Sequence, residues 1–371
     1  MKGTYRYILY LIIHAFSLFA SFQVCSSSLV NTEINRQSGK KVQPIRPRIP
    51  VLQYYDDWVC VSKPAGLTVH RGQYTQRNKF VLSTLLKRQL ARKVYPVHRL
   101  DHRTSGAILF AFDSVTCSYL QQALSYDKDS CLISSTKNNS IDGADSALLK
   151  PSKKEYIALL RGDWKRRFGN EEEVVVDKAL NVKGSLKNAK TIFRVLASTP
   201  GMSSGSDDTL SHYPPGACSL VICTPITGRT HQIRRHAHHL GFPVIGDSQH
   251  GDTKINRWWR ENRNLDRLFL HSLSLDLPPL DLFESKATND PSLCTESNEV
   301  NNNNKTDKGD GNQERIKCVA PLCSELSNVL QSEEMACIWE VAKIKDPRLE
   351  MVPFDERGGT FGRNYRRTRS F

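Results

Sequence analysis

Apolar residues along this chain follow a few distinct rhythms, and each rhythm predicts an element. Trp58-Val59-Cys60-Val61 reads as a short strand, closed by a Lys63-Pro64-Ala65-Gly66 turn. Between Phe80 and Arg92, residues Val81, Leu82, Leu85, Leu86 and Leu90 fall at helical spacing, with Lys87, Arg88 and Arg92 facing outward. Ala107 to Phe112 is an unbroken apolar run of strand length, the pattern of a strand inside a sheet. Ser114 stands where it can cap a helix running to about Leu124. Lys154 to Gly162 returns as a strand, and Cys218 to Cys223 is apolar enough for a central one. From His231 to Leu240, residues Ile233, Ala237 and Leu240 recur at i, i+4 and i+7 before Gly241, predicting a short amphipathic helix with a glycine stop. Leu268 to Leu277 alternates, with Phe269, His271, Leu273, Leu275 and Leu277 on one face, and predicts a half-buried strand. Leu322, Leu326, Val329 and Leu330 suggest a last helical region extending through Trp339.

Polar stretches divide these elements. Residues 125–152 are rich in Ser, Asp, Asn and Lys, and such a composition buries too little apolar surface to order itself. Residues 200–215 are dense in Ser, Gly and Pro, and 285–318 carry the Asn301–Asn304 run. The chain therefore divides into a leader over 1–50, a folded domain over 51–284 with two disordered insertions, a third insertion over 285–318, a helical part over 319–345, and a basic flexible tail over 346–371. That tail reads either as a phosphate-binding arm or as an unstructured end. The Glu171-Glu172-Glu173 run reads as a solvated loop.

A length of 371 residues allows one large domain or two ordinary ones. The net charge of +14, spread along the chain, favours a polyanionic partner, nucleic acid ahead of anionic lipid. Ten cysteines without a CxxC pair fit neither a zinc site nor a disulfide framework and read as reduced thiols. Lys2 and Arg6 ahead of an apolar run from Tyr7 to Phe22 have the layout of a secretory signal, too short and too interrupted for stable membrane insertion. The Ser-rich, basic stretch that follows has a transit-peptide bias. Together they resemble the bipartite leader of plastid proteins, with a mitochondrial presequence as the simpler rival, so an organellar location is expected.

Chemistry concentrates in His98-Arg99-Leu100-Asp101-His102-Arg103-Thr104-Ser105-Gly106. One carboxylate lies among arginines and histidines on a loop that leads into the apolar run and ends in a Thr-Ser-Gly turn signal. A carboxylate so placed is a candidate nucleophile or electrostatic anchor and a poor general acid. On charge pattern alone, a structural Asp–Arg pair would serve equally. The string HRLD followed by TSG resembles the catalytic motif of the RluA family of pseudouridine synthases. KPxGxxxH ending at His70, Lys154-Glu155-Tyr156, Gly228-Arg229-Thr230-His231-Gln232-Ile233-Arg234, Gly241 to Asp247 and Leu270-His271-Ser272 resemble the same family, in the same order. Gly246 to Asp252, with Arg260, is similar to the TruC branch.

The resemblance implies an α+β pseudouridine synthase fold: a mixed, mostly antiparallel sheet flanked by helices, with a central active-site cleft. It implies an isomerase that converts a uridine to pseudouridine, in tRNA at T-stem position 65 for a TruC-like member, with ribosomal RNA as the rival substrate. A non-catalytic RNA-binding protein on the same fold is the alternative of another class. Asp101 would be the nucleophile, Tyr156 would stack on the uracil and could accept a proton, and Arg234 would pair bidentately with Asp101. Arg99 would fill the gap left by a flipped base, and His98, Thr104, Ile233 and Arg229 would complete substrate binding. No cofactor and no metal are implied. Although His231, His236, His238 and His239 lie close together, no carboxylate or cysteine is interleaved with them. A monomer is expected.

Overall fold

The computed structural model describes residues 48–70, 80–126, 150–199, 216–281, 283 and 314–351, all within one compact unit, Pro47–Phe371. Its frame is a ten-stranded sheet. Strands β1 (Val51–Tyr54), β2 (Trp58–Lys63), β3 (Tyr95–Pro96) and β4 (Ser105–Ala111) build one half. The other half holds β5 (Lys153–Arg161), β6 (Glu173–Asp177), β9 (Lys190–Ser198), β10 (Cys218–Pro225), β11 (Leu270–Leu277) and β12 (Ile316–Val319). A separate hairpin pairs β7 (Leu180–Val182) with β8 (Ser185–Lys187). The order across the main sheet is β1-β2-β4-β11-β5-β10-β9-β6, with β3 on β4 and β12 on β11. Among the named strands every pairing is antiparallel except β4 with β11, where Ser105 faces His271 and Gly106 faces Ser272. The α+β architecture and the mostly antiparallel sheet expected from the sequence are those observed.

The parallel seam joins the two halves, and it needs glycine. Gly106 has φ of 109°, and a Cβ there would lie 2.2 Å from the Ser272 carbonyl oxygen. The Thr-Ser-Gly string is therefore not a turn. The turn lies one step earlier, where the Thr104 N–H donates to the Asp101 carbonyl at 3.1 Å, and Ser105 already opens β4.

Central strands are apolar on both faces because both faces are covered. In β4, Ile108 and Phe110 pack with Val59, Val61, Leu82, Leu85 and Leu86, while Ala107, Leu109 and Ala111 pack with Leu120, Leu275 and Leu277 on the other side. In β5, Ala158 and Leu160 meet Phe193, Val221 and Phe242, whereas Ile157 and Leu159 meet Leu220, Trp259 and Leu326. Burying each such side chain stabilises by about 1.5–3 kcal/mol. Tyr156 packs against two of these clusters on the same face, where the halves of the sheet meet.

The predicted helical segments form helices, and two more, at Trp164–Phe168 and Thr253–Arg263, were not expected from the sequence. Helices α1 (Leu82–Leu90), α2 (Ser114–Ser125), α3 (Trp164–Phe168), α4 (Gln232–His239), α5 (Thr253–Arg263), α6 (Ser324–Leu330) and α7 (Ala336–Lys345) cover the sheet. The cap of α2 is Asp113, not Ser114: its carboxylate accepts from the Thr116 N–H at 2.7 Å and the Thr116 hydroxyl at 2.8 Å. Such a cap contributes about 1 kcal/mol. Among the described residues, no helix is long and apolar enough to cross a membrane. The seven described cysteines are free thiols, six of them buried.

Several expectations need correction. β11 is buried on both faces rather than half-buried, because β4, β5 and β12 flank it at the centre of the sheet. β12 already begins at Ile316 and Cys318 is buried, so the third insertion ends before residue 318. Leu349 is buried and Arg348 bonds Asp346, Glu155 and Ser274, so order continues past 345 to a short 3-10 helix at Pro347–Glu350. Glu173 opens β6, although all three glutamates of its run are exposed. Most of 1–50, 125–152, 200–215, 285–318 and 346–371 lies outside the described residues. The ends of two of these stretches meet: the Ser152 N–H donates to the Tyr126 carbonyl at 2.9 Å, and the Thr199 N–H to the Cys218 carbonyl at 2.9 Å.

Candidate active site

The loop before β4 is held from below by a lysine. Lys63 is fully buried, and its ammonium donates to the carbonyls of Pro64 (2.9 Å), Leu67 (2.9 Å) and His102 (3.2 Å). The Gly66 N–H adds a bond to the same His102 carbonyl at 2.8 Å. Backbone carbonyls help to compensate the buried cation, and here they tie the Lys63–Gly66 turn to the Asp101 loop.

A second chain of hydrogen bonds runs behind the loop. Arg267 Nη2 donates to Ser105 Oγ at 2.6 Å, Ser105 Oγ to His271 Nδ1 at 2.9 Å, and His271 Nε2 to the Ala320 carbonyl at 3.1 Å. This order makes His271 a neutral imidazole with its proton on Nε2. Burial, with Arg267 nearby, pulls its pKa down to about 4. His98 is likewise neutral: its Nε2 accepts the Leu109 N–H at 3.2 Å, and burial, then the Lys154 charge, lowers its pKa to about 3. In the unfolded chain both titrate near 6.5. Above that pH their contribution to stability is complete, and it is lost as pH falls from 6.5 toward 4 and then 3, because the unfolded state takes up the protons. Melting temperature measured against pH is therefore expected to decline through this window, and less steeply in His271→Gln; a flat profile would refute the assignment of these neutral rings.

These supports open a cleft of about 510 Å³ where the sheet halves meet, lined by His70, Asp101, Thr104, Tyr156, Ile233 and Arg234 among others. His98, Arg99 and Arg229 also line it, so every site residue expected from the sequence reaches the same cavity. The roles differ in detail. Asp101 is 30% exposed at the side chain, and its Oδ2 stands 3.6 Å from Arg234 Nη1. The bidentate partner of Arg234, however, is Asp247 and not Asp101. Arg234 Nε and Nη2 donate to the two Asp247 oxygens at 2.7 Å each, and Nη2 also reaches Gln249 Oε1 at 3.1 Å. Asp247 accepts two further bonds from the N–H groups of Gln249 (2.9 Å) and His250 (3.0 Å). Burial opposes its charge, but Arg234 and these amides more than offset it and hold its pKa at about 2. One face of the guanidinium fork is thus locked, and the remaining amino group is presented to Asp101.

Tyr156 faces Ser272 across the β5–β11 ladder and Cys223 across the β5–β10 ladder. Burial, then the Asp101 charge, drives the pKa of its hydroxyl well above the usual phenol range, so at neutral pH it is a phenol and not a ready base. Thr104 is buried, and its hydroxyl has no hydrogen-bond partner among the described residues. Ile233 is buried in the wall of the cleft. Arg99 is exposed at the mouth, and Arg229, also exposed, donates to the Asn188 carbonyl at 3.0 Å.

Sequence reasoning assigned no role to four residues that build this site. Asp247 is one. Gln232 is another: its amide bonds Thr227, the Arg229 N–H, Lys190 and Thr191, fixing the turn into α4. His231 stands 3.9 Å from Asp101 Oδ2, and its Nδ1 lies 3.3 Å from His250 Nε2. Asp247 and His250 belong to the motif that ends in Asp252, and the signal for them was a carboxylate directly after Gly246, at the end of an apolar approach, and an imidazole directly before Gly251. Both His236 nitrogens are engaged, with Thr191 Oγ1 (2.9 Å) and the Lys178 carbonyl (3.0 Å). Among the described residues, no group of three or more metal-ligating side chains converges.

Residues 57–239 match the RNA pseudouridylate synthase family. The chain is 32% identical over 231 residues to a tRNA pseudouridine synthase C of Vibrio vulnificus (strain CMCP6), covering 60% of this chain and 82% of that protein. It is 30% identical over 229 residues to the protein of the same name from Haemophilus ducreyi (strain 35000HP / ATCC 700724), covering 60% and 83%. Among solved structures it is similar to Human RNA Pseudouridylate Synthase Domain Containing 4, with a TM-score of 0.45 and 19% identity over 77% of this chain and 93% of that one. By its sequence identity to the two tRNA pseudouridine synthase C proteins, and with the motifs gathered around one cleft, the chain belongs to the RNA pseudouridylate synthase family, in its RluA branch among TruC-type members, and is an isomerase that converts uridine in RNA to pseudouridine.

Proposed function

We propose that the substrate is tRNA, that the target is the T-stem uridine at position 65, and that Asp101 is the nucleophile. The names of the relatives support the first point. The observation that carries the last is the Asp101 carboxylate, partly exposed in the cleft beside an arginine whose other bonds are already satisfied. The reaction breaks the bond from uracil N1 to ribose C1′ and forms a bond from C5 to C1′; C5 loses a proton and N1 gains one. A carboxylate nucleophile splits this into two easier steps. Arg234 Nη1 steadies the carboxylate as it is consumed and regenerated. Tyr156 offers an aromatic face to the detached base and a neutral hydroxyl that donates a hydrogen bond. Thr104 and Ile233 line the base pocket, while Arg229 and His98 belong to its rim and its support. Arg99 fills the gap left by the extruded uridine, offsetting part of the few kcal/mol that extrusion costs.

The test uses tRNA transcripts tritiated at uridine C5, since pseudouridine formation releases that tritium to water. Release from tRNA, mapped to position 65, is expected. Release only from ribosomal RNA would move the substrate, and RNA binding with no release from either would favour a non-catalytic binder. With a net charge of +14 and several arginines at the cleft, log affinity for tRNA is expected to fall linearly with log salt. A flat titration would remove the electrostatic part of the proposal. We propose further that the protein acts as a monomer without a cofactor, in an organelle, with the plastid favoured over the mitochondrion. A fluorescent fusion of the full chain that stays outside both organelles would refute the location.

A further inference from the structure

The isomerisation must remove a proton from C5, and none of the groups assigned above is suited to take it. Arg234 is committed as a donor on every nitrogen. Tyr156 is already protonated and is raised away from ionisation. Asp101 is freed only as the base rejoins C1′, and its released carboxylate faces Arg234 Nη1 at 3.6 Å. His231 lies in the same cleft and is in none of these positions. Its Nε2 stands 3.9 Å from Asp101 Oδ2, so it faces the point where the base rejoins the sugar. Its Nδ1 lies 3.3 Å from His250 Nε2, with the two rings edge to face at 5.5 Å. The residue heads α4 in the left-handed region, φ 52°, which places its ring at the turn into the helix.

We propose that His231 is the base that removes the C5 proton, held in the required tautomer by His250. This rests on the reading of Asp101 as the nucleophile. With the Nδ1 proton donated to His250, Nε2 keeps its lone pair toward the cleft. Once the C5–C1′ bond has formed, C5 is tetrahedral and carries both its hydrogen and C1′. At that stage N1 is joined to C6 by a double bond; Nε2 takes the C5 proton, the C–H electron pair closes the C5=C6 double bond, the N1=C6 pair returns to N1, and N1 takes a proton from water. The imidazolium then loses its proton to water through the exposed edge of the ring, 27% exposed at the side chain. The charged groups facing His231 are Asp101 from the loop before β4, Arg234 and Arg235 from α4, and Asp247 and His250 from the segment after it. Burial, with the two arginines, favours the neutral, proton-accepting ring; the two carboxylates oppose this and favour the imidazolium. Rejoining at C1′ releases Asp101 as an anion, so the carboxylate regains its charge as His231 becomes positive.

His231→Gly in the full chain is the informative variant, because glycine suits φ 52° and leaves space for a free imidazole. Single-turnover pseudouridine formation is expected to slow by at least about 100-fold, the scale of a lost general base. Affinity for the tRNA transcript is expected to stay within about twofold. Added imidazole is expected to restore the rate in proportion to its unprotonated fraction, and deuterium at C5 to slow the variant more than the wild type. A wild-type rate in the variant, or a slow variant that imidazole leaves slow, overturns the proposal. Asp101→Asn run in parallel separates the two ideas: turnover there would sink the nucleophile reading, whatever His231→Gly does.

Discussion

Asp101→Asn is expected to lower pseudouridine formation by on the order of 10⁴-fold or more while leaving tRNA affinity within about threefold. The magnitude is that of removing a nucleophile that nothing nearby can replace. The nearest other carboxylate, Asp247, has no exposed side-chain surface and accepts four hydrogen bonds, so it cannot rotate into the role. The substitution is nearly isosteric, and the Asp101 carboxylate stands 3.6 Å from Arg234 and 3.9 Å from His231, beyond hydrogen-bond length, so the fold should tolerate it. Affinity, dominated by contacts to phosphates, should persist or rise slightly as one negative charge leaves the cleft. Tritium release and filter binding on the same preparation provide the two readings. Affinity falling in parallel with turnover would identify Asp101 as a structural carboxylate instead.

The largest loss of stability is expected from Asp247→Ala. Arg234 is 4% exposed at the side chain, and its strongest partners are the two oxygens of Asp247. Deleting one member of such a pair leaves a buried charge uncompensated and typically costs about 3–5 kcal/mol. For a domain of this size that corresponds to a fall in Tm of roughly 10 °C. Turnover should drop too, on the order of 10²-fold, because the freed guanidinium can swing onto Asp101 and misplace the nucleophile. The double variant Arg234→Met/Asp247→Leu is expected to recover most of the stability and none of the activity, since an apolar pair of similar volume removes the desolvation cost. The pH dependence carries the same signature. With a folded pKa of about 2 against 3.8, the stabilisation by Asp247 is complete above pH 3.8 and is lost as pH falls through 2. An unchanged Tm in Asp247→Ala would show that the pair contributes no net stability.

Local pattern accounts for much of what was legible in advance. Ala107–Phe112 announced a buried strand, and Ile233, Ala237 and Leu240 announced the face of α4, because both signals lie within a single element. The pattern was also present where it was not used. Thr191, Phe193 and Val195 alternate inward along β9, and Ile255 and Trp259 mark the inner side of α5. Other features could not be read from neighbours in the chain. The Thr-Ser-Gly string looks like a turn until Gly106 is seen against Ser272, far away in sequence and within contact in space. Arg234 looked like the clamp on Asp101, yet the loop that follows α4 brings Asp247 under it first.

Residue identities and their periodicities thus determined the elements, the two-sided apolar strands, and the set of side chains able to do this chemistry. Those properties depend on a few adjacent residues and on local backbone sterics. Only the tertiary structure decided that β4 and β11 run parallel at the centre of the sheet, that Asp247 rather than Asp101 takes the bidentate face of Arg234, and that His231 turns toward Asp101. These depend on closing long loops and packing distant segments, where one hydrogen bond or one β-carbon selects among partners that are equivalent in sequence.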